Sequence, residues 1–173
     1  QEVLGVNFKD SNLLMLAFTH RSYVNEHKKT VQEHNERLEF LGDAVLELIT
    51  TEYLYRSYPN PEGELTNFRS ALVNYKMLSD VASELKLDDF ILLSRGEAKD
   101  VGRARQVILA NTLEALIGAI YLDSGFASAK QFVDRYVLVK LTSVMESGKI
   151  IDPKSKFQEL AQERFGLTPG YRV

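Results

Sequence analysis

Between residues 33 and 58, apolar side chains return at Leu38, Leu41, Val45, Leu48 and Ile49, and Pro59 ends the pattern. These i, i+3, i+7, i+10 and i+11 intervals trace one face of a helix, so the spacing predicts a long amphipathic helix there. Residues 10–18 (DSNLLMLAF) open with Asp and Ser, good N-cap residues, and run into a dense apolar stretch, the pattern of a short first helix. THRSYVNEHKKTVQEH between the two reads as a polar turn. After PNPEGE, residues 65–74 and 75–87 predict two helices with a kink near Asn74, while DDFILLSRGEAKDVGRARQ is charged, glycine-containing and irregular, a loop. VILANTLEALIGAIYLD (107–123) is apolar on nearly every side and belongs at the centre of a domain. Gly125 separates it from an amphipathic helix over about 127–145.

No apolar/polar alternation in residues 1–145 is long enough for a sheet, so the predicted fold class is all-α. ESGKIIDP (146–153) has linker composition, and KSKFQELAQERFGLTPGYRV then begins a new unit too short to bury its own core. The expectation is a C-terminus that breaks off inside a second domain. No apolar run approaches the roughly 20 residues of a bilayer span, and no basic-then-apolar leader opens the chain, so a cytoplasmic protein without membrane contact is expected.

Composition narrows the chemistry. The 173 residues contain no Cys and 3 His (His20, His27, His34), which excludes disulfides, a thiol nucleophile and cysteine-ligated metals and leaves oxygen ligands. A formal charge of -3 argues against nucleic-acid binding through bulk positive charge, although a local site overrides a global balance.

The long helix also carries an acidic stripe. At about 100° per residue from Glu36, Glu39 falls near 300°, Asp43 near 340° and Glu47 near 20°. Nothing basic at i±4 relieves them. By itself such a stripe reads as a solvated helix face. The apolar helix changes this, because in LANTLEALIG only Asn111, Thr112 and Glu114 are polar, with Asn111 and Glu114 at i, i+3. A buried, unpaired Glu costs several kcal/mol, of order 3, and a divalent cation shared with the acidic stripe would relieve it. Gly118, one turn on, allows close helix approach, and Glu64 is a further candidate oxygen. Carboxylates with an amide oxygen favour Mg²⁺ or Mn²⁺ over zinc.

Asn35-Glu36-Arg37-Leu38-Glu39-Phe40-Leu41-Gly42-Asp43 resembles the signature stretch of ribonuclease III. LGVNFKDSNLLMLAFTHRSY, LTNFRSALVNYKMLSDVASELKL and ILANTLEALIGAIYLDSGF agree with that family along the chain, and DPKSKFQELAQERFGLTPGYRV resembles the start of a double-stranded-RNA-binding domain. The resemblance implies a ribonuclease III endonuclease domain over 1–147, a linker over 148–153 and an incomplete α-β-β-β-α RNA-binding domain over 154–173. It implies a homodimeric endonuclease that cuts double-stranded RNA by two-metal hydrolysis, with two Mg²⁺ per active site (Mn²⁺ substituting), in RNA processing such as rRNA and mRNA maturation. The products are 5′-phosphate and 3′-hydroxyl ends with two-nucleotide 3′ overhangs. Carried over by position, Glu39, Asp43 and Glu114 are metal-binding and catalytic carboxylates, Asn111 stands at a fourth metal-ligand position, Glu36 and Glu64 are auxiliary acids, and Phe40 is a dimer-interface residue.

Asn111 is a departure, since the family usually has Asp in a run like ILAD. It keeps a coordinating oxygen but gives up a negative charge, so metal affinity should fall. A natural active variant, a natural silent one and a deliberate substitution are all compatible with it; the intact acidic positions favour the first. His20, Arg21, Ser22 and Asn25 resemble positions near the RNA backbone, although a helix cap accounts for His20 as well. Arg95, Lys99, Arg103 and Arg105 are candidate phosphate contacts diluted by Glu97 and Asp100, and Gln158 and Glu159 match minor-groove-facing positions of the RNA-binding module. Two rivals remain: a catalytically impaired ribonuclease III-like protein that binds structured RNA, supported by Asn111, and a helical interaction protein whose acidic stripe docks a basic partner.

Overall fold

The computed structural model describes residues 4–146, 157, 161–167 and 169–170. Helix α1 (Ser11–Ala17) starts where Asp10 accepts a hydrogen bond from the Asn12 amide at 2.9 Å. Its entry is tied across the molecule, because the Asp123 carboxylate accepts from the amides of Lys9 (2.9 Å) and Asp10 (2.8 Å). The expected polar turn contains a second helix, α2 (Arg21–Glu26). It is short and lacks an apolar stripe; the His20 side chain caps it, with Nδ1 accepting from the Ser22 amide at 3.2 Å.

Helix α3 (Glu36–Ser57) matches the predicted long helix. Helix α4 (Glu62–Leu72) starts earlier than the pattern suggested, since Pro61 suits a helix start and the turn is confined to the residues before it. Glu64 therefore lies inside the first turn of α4. The expected kink at Asn74 is a joint between α4 and α5 (Tyr75–Glu84). Its amide donates to the Ala71 carbonyl at 2.8 Å, and its oxygen accepts from the Lys76 and Met77 amides, each at 3.1 Å.

The charged segment that follows is a loop as predicted up to Gly102, with 3₁₀ turns at Leu87–Asp89 and Glu97–Lys99, but Arg103 and Arg105 already belong to the next helix, and the loop is pinned. Among the described residues the only β feature is an isolated parallel bridge between Thr19 and Leu92, with the Leu92 amide donating to the Phe18 carbonyl at 2.8 Å. Helix α6 (Arg103–Tyr136) is interrupted at Gly125, whose φ of 80° and ψ of 178° turn the chain where a side chain would strain it. A 3₁₀ turn (Leu138–Lys140) and α7 (Leu141–Glu146) complete the domain.

Before Gly125, α6 is the axis of the core: Leu113, Leu116, Ile117 and Ile120 are completely buried, with α3 and α5 packed against them. This corrects one expectation. The segment Arg103–Ser143 is long and apolar enough, by length and composition, to cross a membrane, and 61% of its most apolar window is buried inside the fold, as a core helix requires. The buried face of α3 is also rotated from the predicted one. Leu38, Val45 and Ile49 are inside as expected, but Leu48 is 58% exposed, whereas Leu46 and Thr50 are fully buried. On the helical wheel this moves the seam toward the acidic stripe.

The expected linker 148–153 and the candidate contacts Gln158 and Glu159 lie outside the described residues, as does half of the segment 154–173; residues 161–165 are helical.

Candidate active site

The rotation of α3 has a chemical consequence. It brings the edge of the acidic stripe to the crossing with α6, and glycines on both helices let the backbones meet. A Cβ on Gly42 would overlap the Glu114 carbonyl oxygen, and one on Gly118 would overlap the carbonyl oxygen of Leu38. The predicted close approach at Gly118 is therefore present. Its counterpart Gly42 was missed, although a glycine inside a strong helical pattern is a signal for it.

At this crossing Glu39 and Asp43 of α3 meet Asn111 and Glu114 of α6. Glu114 is half-buried, and its carboxyl is pushed up to about 8, first by burial and then by the charges of Asp43, Glu39 and Glu47. Glu39 is raised as well, by burial and Glu36 and more weakly by Asp43, while hydrogen bonding from the Asn111 side chain pulls it down. Among the described residues no Lys, Arg or His lies within ion-pair distance of Glu39, Asp43, Glu47 or Glu114. Glu47 belongs to the electrostatics of the site, yet its place on the stripe had not made it a candidate ligand.

The opposite end of the stripe is neutralised from outside α3. Arg21 Nη1 lies 3.4 Å from Glu36, and His34 Nδ1 lies 3.8 Å from its other oxygen. A guanidinium and an imidazole thus reach the auxiliary acid, whereas no basic side chain among the described residues reaches the cluster around Glu114. Glu64 is held elsewhere, its carboxylate accepting from the Asn60 amide at 2.6 Å; it is not among the charges acting on Glu39 or Glu114, so within one chain the structure does not bring it to the cluster.

The donor set suits a hard divalent cation. Among the described residues no three His, Asp or Glu side chains stand close enough together, as they are placed, to hold a metal ion, but carboxylates crowded without a counter-ion, one of them raised to about 8, are the arrangement a divalent cation stabilises. Glu39, Asp43 and Glu114 could hold it, with the Asn111 oxygen offering a neutral fourth ligand.

Several candidate RNA contacts are used by the fold itself. His20 caps α2 and stands 2.8 Å from Ser22 Oγ, which in turn accepts from the Ser94 amide at 3.0 Å. Burial lowers the His20 pKa, its largest effect, so the ring is neutral at physiological pH. The Arg105 side chain is only 18% exposed and pairs with Asp88. His20, Ser22 and Arg105 thus each have a partner within the fold. Arg21, Asn25, Arg95, Lys99 and Arg103 remain exposed, Arg103 with its guanidinium 5.6 Å from the Tyr75 ring centroid. The Arg95 amide donates to the Glu26 carboxylate at 3.2 Å, which anchors its loop to α2.

Phe40 is 80% exposed, and with Leu48 (58%) and Tyr55 (79%) it forms an apolar strip along the outer face of α3. Beside Phe40 lies an open cleft of about 830 Å³, lined in part by Leu13, Leu16, Leu38, Leu41 and Leu122.

Comparisons with known proteins agree with one another. A family model described as Ribonuclease-III-like matches residues 10–141. Ribonuclease 3 of Treponema denticola is 47% identical over all of this chain and 70% of its own length. Ribonuclease 3 of Oceanobacillus iheyensis is 46% identical over all of this chain and 76% of its own length. Among solved structures, the nuclease domain of ribonuclease III from Campylobacter jejuni, whose dimer-forming region is described as flexible, superposes with a TM-score of 0.71 at 45% identity, covering 78% of this chain and 91% of that one.

Proposed function

This chain belongs to the ribonuclease III family, and from that premise we propose that it hydrolyses double-stranded RNA at the α3–α6 crossing, with Glu39, Asp43, Asn111 and Glu114 holding divalent cations. It is an enzyme of the endoribonuclease class, its helical domain that of a ribonuclease III nuclease domain. The observation that carries the assignment of the site is Glu114, raised to about 8 among Asp43, Glu39 and Glu47.

The chain's own residues have definable parts in the reaction. Glu39, Asp43 and Glu114 converge from two helices whose spacing the Gly42–Gly118 crossing fixes, so a scissile phosphate docked there is positioned by rigid elements. Mg²⁺ or Mn²⁺ held there, two per site, would supply charge against the phosphate oxygens and lower the pKa of a nearby water. Hydrolysis would join a water oxygen to phosphorus, break the bond from phosphorus to the 3′ oxygen and pass the water's proton to that 3′ oxygen. The products are a 5′-phosphate and a 3′-hydroxyl, staggered by two nucleotides. Glu36, which pairs with Arg21 and lies beside His34, orients those side chains along the edge of the valley. Glu64 is an auxiliary acid only when the assembled protein brings it there.

The proposed assembly is a homodimer. An exposed Phe40 at a cleft whose lining joins leucines to Glu33, Glu36 and Arg37 offers an apolar anchor with a charged border, which a two-fold interface can use. Residues 154–173 are proposed as the start of a double-stranded-RNA-binding domain after a linker at 148–153, with Gln158 and Glu159 toward the minor groove.

The test is cleavage of a long perfect RNA duplex in Mg²⁺, in Mn²⁺ and in EDTA, with product ends mapped. Metal-dependent conversion to short duplexes with 3′ overhangs is expected, and Glu114→Gln should abolish it. A chain that binds the duplex without cutting it in either metal would instead favour the impaired RNA-binding reading, for which Asn111 is the specific observation.

A further inference from the structure

Helix α2 grips the loop after Leu92 with two side chains one turn apart. Ser22 Oγ accepts from the Ser94 amide at 3.0 Å, and the Glu26 carboxylate accepts from the next amide, that of Arg95, at 3.2 Å. Ser22 and Glu26 stand at i, i+4, so one face of α2 supplies both acceptors. Because the Ser22 oxygen accepts from Ser94, its proton is free to go to His20 Nδ1, 2.8 Å away. From Ser94 onward the loop is tied to itself. Ser94 Oγ accepts from the Glu97 amide at 3.2 Å, the Ser94 carbonyl from the Ala98 amide at 3.0 Å, and the Gly96 carbonyl from the Lys99 amide at 3.1 Å. Fixing Ser94 and Arg95 therefore fixes where Lys99 stands.

The segment before α2 connects this loop to the acidic stripe. The Thr19 carbonyl accepts from the Asn35 amide at 2.9 Å, and Asn35 Nδ2 donates to the Ala17 carbonyl at 3.1 Å. Residues 17–20 thus join Leu92 on one side to the start of α3, where Glu36 opens the stripe, on the other. Arg95 and Lys99 are exposed, and neither has an ion-pair partner among the described residues. Glu26 is exposed as well, and a carboxylate there would repel a phosphate; the amide it accepts explains its place.

We propose that Ser22 and Glu26 are positioning residues for duplex binding: together they hold the loop against α2 so that Arg95 and Lys99 meet the RNA backbone at a fixed place beside the acidic valley. The inference rests on the reading of this chain as a nuclease of double-stranded RNA. Neither anchor touches the RNA; each acts through the loop, whose two cations make the contact.

The test uses the full chain and a perfect RNA duplex in Mg²⁺. Initial rates give KM and kcat, and filter binding read before cleavage sets in gives Kd. Ser22→Ala combined with Glu26→Ala is expected to raise Kd and KM about fivefold or more while kcat stays within about twofold of native, and to lower the slope of log Kd against log salt by about one. Ser22→Thr and Glu26→Gln, which keep an accepting oxygen, are expected to bind no more weakly than the native chain. Arg95→Gln combined with Lys99→Gln leaves both anchors in place and is expected to weaken binding to a similar degree. Adding the two anchor substitutions to that variant is expected to weaken it no further.

Anchor variants with native Kd and KM overturn the proposal. So does an Arg95→Gln, Lys99→Gln variant with unchanged Kd, which tests the loop even where loss of both anchors prevents folding. Additive losses in the combined variant would put Ser22 or Glu26 on the RNA itself and overturn it equally. A native chain that neither binds nor cuts the duplex removes the nuclease reading and this inference together. If the native chain cuts while the anchor variants keep their Kd and KM, the nuclease reading stands and only the role of Ser22 and Glu26 falls.

Discussion

Gly42 and Gly118 face each other across the α3–α6 crossing so closely that a Cβ on Gly42 would lie 2.9 Å from the Gly118 amide nitrogen, and one on Gly118 would lie 3.1 Å from that of Gly42. The atoms in the way are backbone, which has no rotamer to yield. Neither glycine is in a left-handed conformation, so contact alone requires it.

Gly118→Ala should therefore destabilise the domain by about 3 kcal/mol or more, since overpacking against backbone cannot be relieved by moving a side chain. Denaturant titration followed by circular dichroism reads the loss as a lower midpoint. A midpoint within error of native would show that the helices part without cost, and the close crossing would no longer explain how the acidic residues are positioned.

Glu114 makes metal-free stability depend on pH, with a definite sign. Its carboxyl titrates near 4.5 in the unfolded chain and about 8 in the folded one. Between these values the folded state holds the extra proton, so the contribution is full below pH 4.5 and is lost as pH rises through 8. In EDTA, melting temperature should fall across this window by several degrees, and Glu114→Gln should flatten the fall and raise the high-pH end. Mg²⁺ should oppose the fall, because a cation replaces the proton as partner for the carboxylate. A native protein whose stability in EDTA is flat from pH 5 to 8 would contradict the assignment.

Phe40 offers a test that separates assembly from folding. At 80% exposure it contributes little to the core of one chain, so Phe40→Asp should leave the melting of the isolated fold near native. The same charge on a two-fold apolar interface should cost several kcal/mol, of order 3, because it appears twice and is desolvated. Sedimentation velocity should show the native chain as a dimer and Phe40→Asp as a monomer. Identical sedimentation would remove this face of α3 from the interface.

Periodicity in the sequence located α1, α3 and the core part of α6 because burial on one face, or on all faces, leaves a regular trace. Helix α2 left none, because it is short and its cap is a histidine, a residue with many other uses. The face of α3 was misjudged by roughly 60° for a related reason: Leu48 looks like core by type, whereas Gly42 and Thr50, which face the seam, do not. The carboxylates of the site were legible, since an acid within an apolar helix must find a partner. The roles of the basic residues were not. Whether Arg105 meets RNA or Asp88, and whether Arg21 meets RNA or Glu36, depends on which segments the fold brings together, and sequence spacing does not encode that.

An acidic valley that receives RNA must be recharged first. Glu36, Glu39, Asp43, Glu47 and Glu114 are all acidic, and two Mg²⁺ would move the formal charge from -3 to about +1 per chain. Metal held there would act on RNA affinity separately from chemistry, by removing repulsion from phosphates while Arg95 and Arg103 stay at the exposed edge. At matched ionic strength, filter binding of a short duplex, read before cleavage sets in, should weaken severalfold or more when EDTA replaces Mg²⁺. Raising monovalent salt should weaken it further in both conditions, with a shallower slope in EDTA because fewer phosphates are neutralised. Equal affinity in Mg²⁺ and EDTA would mean that the duplex is held entirely outside the valley and that the carboxylates contribute only to the cut.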